Sequence, residues 1–236
     1  GTEFVVPGAI GAHNWPPMSF NPDTGLVYIP TIHTGDRYFD NWVDHANWRS
    51  PDWMASAPSD GTAVGIEPYQ PNDLRGSLQA WDPVKQERVW EVQLPITWNP
   101  GTLTTAGGLV FQGRADGDFV AYDATTGDVL WSHHMGVGIS APPITYSIDG
   151  RQYVALLAGW GSAWALVGTE VAKLGWSYGA QTRRLVVFSL DGDADVPALQ
   201  APVVPVPLAA PDFVVDEQLA AMGQQVYIQC TYCHGA

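Results

Sequence analysis

The chain has 236 residues, which is long enough to bury a sizeable core and to form one or two domains. Only 14% of the residues are charged, while 25 Gly, 19 Pro and 11 Trp indicate many short strands joined by turns, so an all-β body is predicted. The formal net charge of −14, from 24 acidic against 10 basic residues, argues against nucleic acid as a partner, and no apolar run of about 18 residues suggests a transmembrane segment.

The first predicted unit is a hairpin over residues 18–29, in which Asn21-Pro-Asp-Thr-Gly25 forms the turn between two apolar runs. Residues 31–75 then interrupt the strand pattern and are expected to form an insertion packed across the body. His33 and His45 lie in this stretch and admit a metal-site interpretation. Histidines without neighbouring ligands are more often hydrogen-bonded or exposed to solvent.

An internal repeat follows the insertion. Residues 76–90 and 117–131 both have the pattern of a strand, a tight turn and a second strand that ends at a Trp. A period near 40 residues with strand-only units predicts propeller blades, with Trp90 and Trp131 packed between neighbouring blades. Gln86 stands where the second copy has Gly127, which predicts a looser turn in the first copy.

The region after residue 100 carries further strand patterns but no long helix before residue 215. Asp149-Gly150 is predicted to be a hairpin turn, and Thr104, Thr105 and Gly107 are expected in a turn at an inner strand. The predicted strands cover residues 109–112, 144–147, 153–158 and 185–190.

A Pro-rich stretch over residues 193–215 is predicted to form a semi-rigid, extended linker. After it, Asp216 can cap a helix in which Leu219 and Met222 begin an apolar pattern at helical spacing. The composition therefore changes from a β body, through a linker, to a helical segment.

The sequence closes with Cys230-Thr-Tyr-Cys233-His234, which has the spacing that attaches a c-type haem. Each thiol can form a thioether with a haem vinyl group, and His234 can bind the iron as the proximal ligand. A redox-active Cys pair, half of a zinc site and a chance occurrence are the alternatives. Covalent haem would imply electron transfer and, in bacteria, a periplasmic location.

The sequence lacks both an initiator Met and a signal peptide, so both ends are expected to be cuts in a longer protein.

Three segments resemble the pyrroloquinoline quinone (PQQ)-dependent alcohol dehydrogenases: residues 4–30 with His13-Asn14-Trp15, residues 99–113, and Ala158-Gly-Trp160-Gly161. With the Trp repeat and the haem motif, the chain is similar to the quinohaemoprotein branch of that family over essentially its whole length. The resemblance implies an eight-bladed propeller that carries the quinone and a calcium ion, then a linker and a cytochrome c domain. Residues 1–192 would be the C-terminal blades, residues 193–215 the linker, and residues 216–236 the start of the α-helical cytochrome c domain.

The resemblance also implies an activity and a set of site residues. The activity is oxidation of a primary or secondary alcohol, with electrons passing from PQQ to haem c and on to an acceptor such as a cytochrome, a cupredoxin or a quinone. Without the resemblance, Asn14 would be interpreted as a turn cap, Trp15 as a core aromatic and Trp160 as part of a strand-end bulge. The implied PQQ contacts are Asn14, Trp15, Trp160 and Gly161, and the implied haem residues are Cys230, Cys233 and His234.

Several parts of the family pattern have no counterpart in this sequence. They are the catalytic aspartate, the calcium ligands, the lysine near the quinone, the vicinal disulfide and the distal haem ligand. No catalytic residue is therefore predicted in the chain, which alone should be inactive and marginally folded, because an open set of blades leaves two faces unpaired. A non-enzymatic Trp-repeat scaffold and an electron-transfer fusion with an inactive propeller are the alternative functions.

Overall fold

The computed structural model describes residues 2–8, 10–39, 46–47, 63–68, 75–161, 168–176, 182–200 and 214–223. The described part is mostly β-structure, as predicted. In chain order the strands are β1 (Thr2–Val5), β2 (Ser19–Asn21), β3 (Leu26–Phe39), β4 (Ala63–Pro68), β5 (Arg75–Asp82), β6 (Glu87–Leu94), β7 (Thr102–Thr105), β8 (Leu109–Gly113), β9 (Asp118–Asp123), β10 (Val129–His134), β11 (Ile144–Ile148), β12 (Arg151–Ala158) and β13 (Arg184–Phe188). A short helix, α1 (Gly168–Lys173), lies between β12 and β13.

The strands form three antiparallel sheets that follow one another along the chain. The first sheet has the order β2-β3-β5-β6, and the second half of the long strand β3 also pairs with β1 and β4. The second sheet has the order β7-β8-β9-β10, and the third has the order β11-β12-β13. Meanders of three or four strands stacked face to face are the blades of a propeller, which confirms the all-β propeller part of the predicted fold class, while the start of a cytochrome c domain stays a prediction.

The first sheet corrects part of the predicted insertion. Residues 26–39 form one continuous strand, and β4 pairs with its second half from Thr34 to Phe39. The pattern break at residue 31 is therefore a change of strand partner, because β3 leaves its pairing with β5 at His33 and continues between β1 and β4. His45 and the tryptophans at positions 42, 48 and 53 lie outside the described residues.

In three tight turns of the first two sheets, a side-chain oxygen at the start of the turn accepts a hydrogen bond from the backbone and stabilises the hairpin. Asn21, Asp82 and Asp123 each accept a hydrogen bond from a backbone N–H two residues ahead. The turns close through the N–H of Gln86 to the Asp82 carbonyl at 2.8 Å and of Gly127 to the Asp123 carbonyl at 2.9 Å. Gln86 adopts φ of 58° and Gly127 a φ of 80°, so both turns have the same form. The prediction of a looser turn at Gln86 is wrong.

Apolar side chains fill the space between successive sheets. Trp90, only 9% exposed, lies between the first and second sheets, stacks on Tyr28 with 5.7 Å between ring centroids, and donates from Nε1 to the Ala124 carbonyl at 3.1 Å. Its predicted place between blades is confirmed. Trp131 contacts Phe119 of the second sheet and Phe188 of the third, although it stays 41% exposed.

The stack has two different ends, because strand direction alternates within each sheet. The tight turns at residues 22–25, 83–86, 106–108, 124–128 and 149–150 lie at one end, here called the turn face. The longer connections, here called the loop face, lie at the other and are tied together by backbone hydrogen bonds, such as Thr102 N–H to Pro17 and Ile139 N–H to Arg114. Among the described residues they are 6–8, 10–18, 95–101, 114–117, 135–143 and 159–161.

The predicted linker packs back on the third sheet at its start. Arg184 donates to the Pro197 carbonyl at 2.6 Å, and Leu199 packs on the core between the second and third sheets. Farther along, residues 217–223 are helical, and Asp216 accepts from the N–H groups of Gln218 and Leu219 at 3.0 Å. The cap at Asp216 is thereby confirmed, while the domain boundaries at residues 192 and 215 stay predictions.

Candidate functional site

The loop before the first sheet is held at several points of the loop face. His13 donates from Nδ1 to the Pro30 carbonyl at 2.7 Å, and the Ile32 N–H donates to the Ala12 carbonyl at 2.8 Å. Farther along the loop, a Cβ atom at Gly101 would overlap the ring of Pro17. The loop is therefore held against β3 at His13 and Ala12 and against the connection to the second sheet at Pro17.

Asn14 lies at the centre of this loop. Its Nδ2 donates to the Ile10 carbonyl at 2.9 Å, and its Oδ1 accepts from the Trp15 N–H at 2.8 Å. These bonds are the turn-capping role that the residue type alone suggests. The second Nδ2 hydrogen has no acceptor among the described residues, so the amide can still donate to a ligand oxygen.

Trp15 follows Asn14 and is 69% exposed, which excludes the interpretation of Trp15 as a core aromatic in the described chain. Its ring meets Trp98 edge to face, with 5.6 Å between centroids and 75° between planes. Trp98 itself is 6% exposed and packs with Ile32 and Ile10. A large apolar ring that is held from one side and open on the other fits contact with a planar aromatic ligand.

The second predicted contact segment lies at the end of β12, also on the loop face. Trp160 is 5% exposed, and its ring covers Gly138 so closely that a Cβ atom there would overlap it. Gly159 forms a parallel bridge with Ile139, which holds the connection between the second and third sheets against the end of β12. Gly161 lies beside Ser140, whose Oγ would be 3.5 Å from a Cβ atom at that position. Trp160 is therefore mainly a packing residue here, and its contact with PQQ stays a prediction.

Buried polar side chains line the connection between the first two sheets. Asn99 donates from Nδ2 to the Ile96 carbonyl at 2.6 Å, and Gln112 donates from Nε2 to the Pro100 carbonyl at 2.9 Å. Their side-chain oxygens and the Thr97 hydroxyl are buried without a hydrogen-bond partner among the described residues. Such acceptors require a donor from water or another group, so this part of the loop face is polar below its surface.

A second polar cluster lies on the first sheet, on the side away from the second. His33 Nε2 is 3.2 Å from the hydroxyls of Thr31 and Ser77 and 3.7 Å from Glu91. Burial acts to raise the pKa of Glu91, but hydrogen bonds and neighbouring positive charge outweigh it and lower that pKa. His33 is thus hydrogen-bonded, and the described residues contain no group of three or more His, Cys, Asp or Glu side chains that could hold a metal.

Tyr122 is the most strongly perturbed titratable group in the described part of the chain. It is fully buried between the first and second sheets, and burial raises its pKa to about 12 although the Arg114 guanidinium acts in the opposite direction. Arg114 pairs with Asp116 on the loop face, and that charge holds the pKa of Arg114 above its ordinary value in spite of burial. The Tyr122 ring packs in the apolar core between these sheets, and its hydroxyl is buried without a hydrogen-bond partner among the described residues.

The structure places some of the predicted site residues on the same face and identifies one further residue, Trp98, beside them. Asn14 and Trp15 share a loop, and Trp160 and Gly161 lie on the same face at the third sheet, whereas Cys230, Cys233 and His234 lie outside the described residues. Sequence reasoning missed Trp98, the partner of Trp15. It directly precedes the segment from Asn99 to Gly113 that carries part of the family resemblance, and its position there was the available signal.

Within the described residues, no helix has the length and apolar character needed to cross a membrane.

Residues 75–154 match the family described as "glucose/ethanol/alcohol dehydrogenase, beta-propeller domain", which is designated PQQ. Quinohemoprotein alcohol dehydrogenase ADH IIB of Pseudomonas putida is 43% identical over 97% of this chain, and a quinohemoprotein alcohol dehydrogenase of Comamonas testosteroni is 39% identical over 98%. The chain spans about a third of the length of each, 32% in both cases.

A solved structure shows the same similarity in three dimensions. The quinohemoprotein alcohol dehydrogenase ADHIIG of Pseudomonas putida HK5 superimposes with a TM-score of 0.72 at 36% identity. The match covers 100% of this chain and 34% of the solved one. The three sheets are therefore equivalent to a part of that structure.

Proposed function

Since the chain belongs to the family of PQQ-dependent quinohaemoprotein alcohol dehydrogenases, we propose that it forms part of an enzyme that oxidises primary or secondary alcohols and passes the electrons to haem c. The observation that carries the proposal is similarity to these enzymes along 97% of the chain. Every relative named above is an alcohol dehydrogenase, so a non-enzymatic scaffold is not favoured.

The loop that carries Asn14 and Trp15 has side-chain groups that suit contact with the quinone. PQQ supplies a planar, two-electron acceptor when it is bound. Trp15 would offer its exposed ring face to that plane, and Asn14 would donate its second amide hydrogen to a quinone oxygen. Trp160 and Gly161 would approach from the third sheet. No residue of this chain is assigned to proton transfer from the alcohol or to calcium binding.

The C-terminal motif would hold the haem that receives the electrons. Cys230 and Cys233 would form the thioether bonds, and His234 would bind the iron. The Pro-rich stretch over 193–215 would set the distance between the propeller and a cytochrome c domain that starts near residue 216. Haem attachment of this type favours a periplasmic location, and the final electron acceptor would be a cytochrome, a cupredoxin or a quinone.

The test is alcohol-dependent dye reduction by the intact gene product that contains this segment. Addition of calcium and PQQ to the apoprotein should produce activity with a primary or secondary alcohol. Absence of activity with every alcohol tried, in protein that binds PQQ, would leave the electron-transfer fusion as the better description. Absence of PQQ binding would overturn the proposal.

The haem assignment has a separate test. After periplasmic expression, the intact protein should show a c-type haem spectrum that persists when the protein is denatured, because the haem is covalently bound. Cys230→Ala and Cys233→Ala should each leave at most one thioether, so each should abolish or strongly reduce this spectrum. A wild-type spectrum in both variants would contradict the assignment.

A further inference from the structure

The exposed ring of Trp15 has one aromatic neighbour that fixes its direction. Trp98 meets it edge to face at 5.6 Å between centroids, which is a favoured geometry for two aromatic rings. An exposed side chain without such a contact would sample several rotamers, and that freedom would be lost on ligand binding. The contact therefore orders Trp15 in advance.

Trp98 is itself held rigidly. It is 6% exposed and packs with Ile32 of β3 and with Ile10. The preceding turn is fixed by two bonds to the Ile96 carbonyl, one from the Asn99 amide at 2.6 Å and one from the Gly76 N–H at 2.8 Å. Because Trp98 packs on β3 and contacts Trp15, it fixes the Trp15 ring relative to the first sheet.

The contacts close into a ring. Asn14 joins the Ile10 carbonyl to the Trp15 N–H through its amide, Ile10 packs on Trp98, and Trp98 meets Trp15. A substitution at any of these residues therefore removes a contact that positions its neighbours in the ring. The backbone of Trp15 is set by Asn14, and its ring is set by Trp98.

We infer that Trp98 is a positioning residue for the quinone site, which presets the Trp15 ring in the orientation that PQQ contacts. The inference rests on the proposed function, because it requires that Trp15 contacts PQQ. Trp98 acts only through Trp15: its burial beneath the loop leaves Trp15 as the ring that is open to a ligand.

The test is a PQQ titration of the intact apoprotein in the presence of calcium, read by tryptophan quenching or equilibrium dialysis. Trp98→Leu should weaken PQQ binding about three- to tenfold, the range expected for loss of one aromatic pair, and Trp98→Phe should restore most of it. The matched control is Trp90→Leu. Trp90 is also buried, but it lies between sheets and stacks on Tyr28 rather than on Trp15, so this change should lower stability and leave PQQ affinity unaltered.

A double-mutant cycle separates positioning from general support. In a Trp15→Ala background, Trp98→Leu should have no further effect on PQQ affinity. The circular dichroism difference between wild type and Trp98→Leu should also contain an exciton couplet that Trp15→Ala abolishes. Equal effects of Trp98→Leu with and without Trp15, or of Trp90→Leu and Trp98→Leu, would overturn the inference. Unchanged affinity in Trp15→Ala would instead overturn the assignment of Trp15 in the proposed function.

Discussion

Gly127 at the turn face lies directly under the ring of Trp90. The tightness of this packing can be tested by adding one methyl group in Gly127→Ala and measuring the change in the free energy of unfolding. A Cβ atom at Gly127 would be 2.8 Å from Cε3 and 2.9 Å from Cδ2 of Trp90, closer than carbon atoms can approach. The residue also has a φ of 80°, in the region that favours glycine. Gly127→Ala therefore has two costs, a backbone cost and a packing cost.

Gly25 separates the two costs, because it occupies an equivalent turn of the first sheet. Its φ is 70°, yet no atom lies within 4 Å of its Cβ direction. Gly25→Ala should lower the free energy of unfolding by only the backbone cost of about 1–2 kcal/mol. Gly127→Ala should lower it by a further 1–3 kcal/mol or so, the range found for overpacked sites.

The assay is urea unfolding of the intact apoprotein, followed by tryptophan fluorescence, with both variants measured in the same background. The difference between them should shrink when Trp90 is replaced by Leu, because a smaller side chain can make room for the methyl group. Equal losses for Gly25→Ala and Gly127→Ala, or a difference that persists in Trp90→Leu, would refute the packing argument.

Two pH predictions follow from groups within the sheets. Because burial raises the pKa of Tyr122 from 10.0 to about 12, the unfolded chain releases a proton that the folded one retains, so stability should be intact below pH 10 and fall as the pH rises toward 12. Tyr122→Phe should reduce this alkaline loss in urea midpoints, and identical profiles for both proteins would contradict the assignment. Glu91 has a lowered pKa, so its contribution should be present above its ordinary value of 4.5 and be lost as the pH falls below it. Glu91→Gln should flatten the acid limb of the same profile, and an unchanged limb would show that its hydrogen bonds do not favour the charged form.

The hairpins were predictable from the sequence because their information is local. Alternating apolar residues on both sides of a turn with Asn or Asp at its start define β5 with β6 and β9 with β10. β7 was partly assigned to a turn, since Thr104 and Thr105 are strand residues and the turn begins at residue 106. This strand is short and polar because its side chains meet Ser19 and Asn21 of the first sheet through hydrogen bonds.

Elements that depend on distant partners were not predictable in this way. β1 and β4 exist because the end of β3 lies between them, and nothing in their own short sequences requires it. The same holds for the site. His13-Asn14-Trp15 could be selected by resemblance, but the contact of Trp15 with Trp98 joins two loops that are 83 residues apart and appears only when the first sheet is assembled.

The division of the stack into a turn face and a loop face has a consequence for how such a protein can change. At the turn face, the hairpins keep their register through side-chain acceptors such as Asp82 and Asp123, and the turn tolerates either Gln86 or Gly127 at its end. At the loop face, the described connections vary in length, from the four residues 114–117 to the nine residues 135–143. Ligand-binding segments can therefore be lengthened or exchanged at one end while the frame is maintained from the other, so new specificities can arise without renewed selection for the fold.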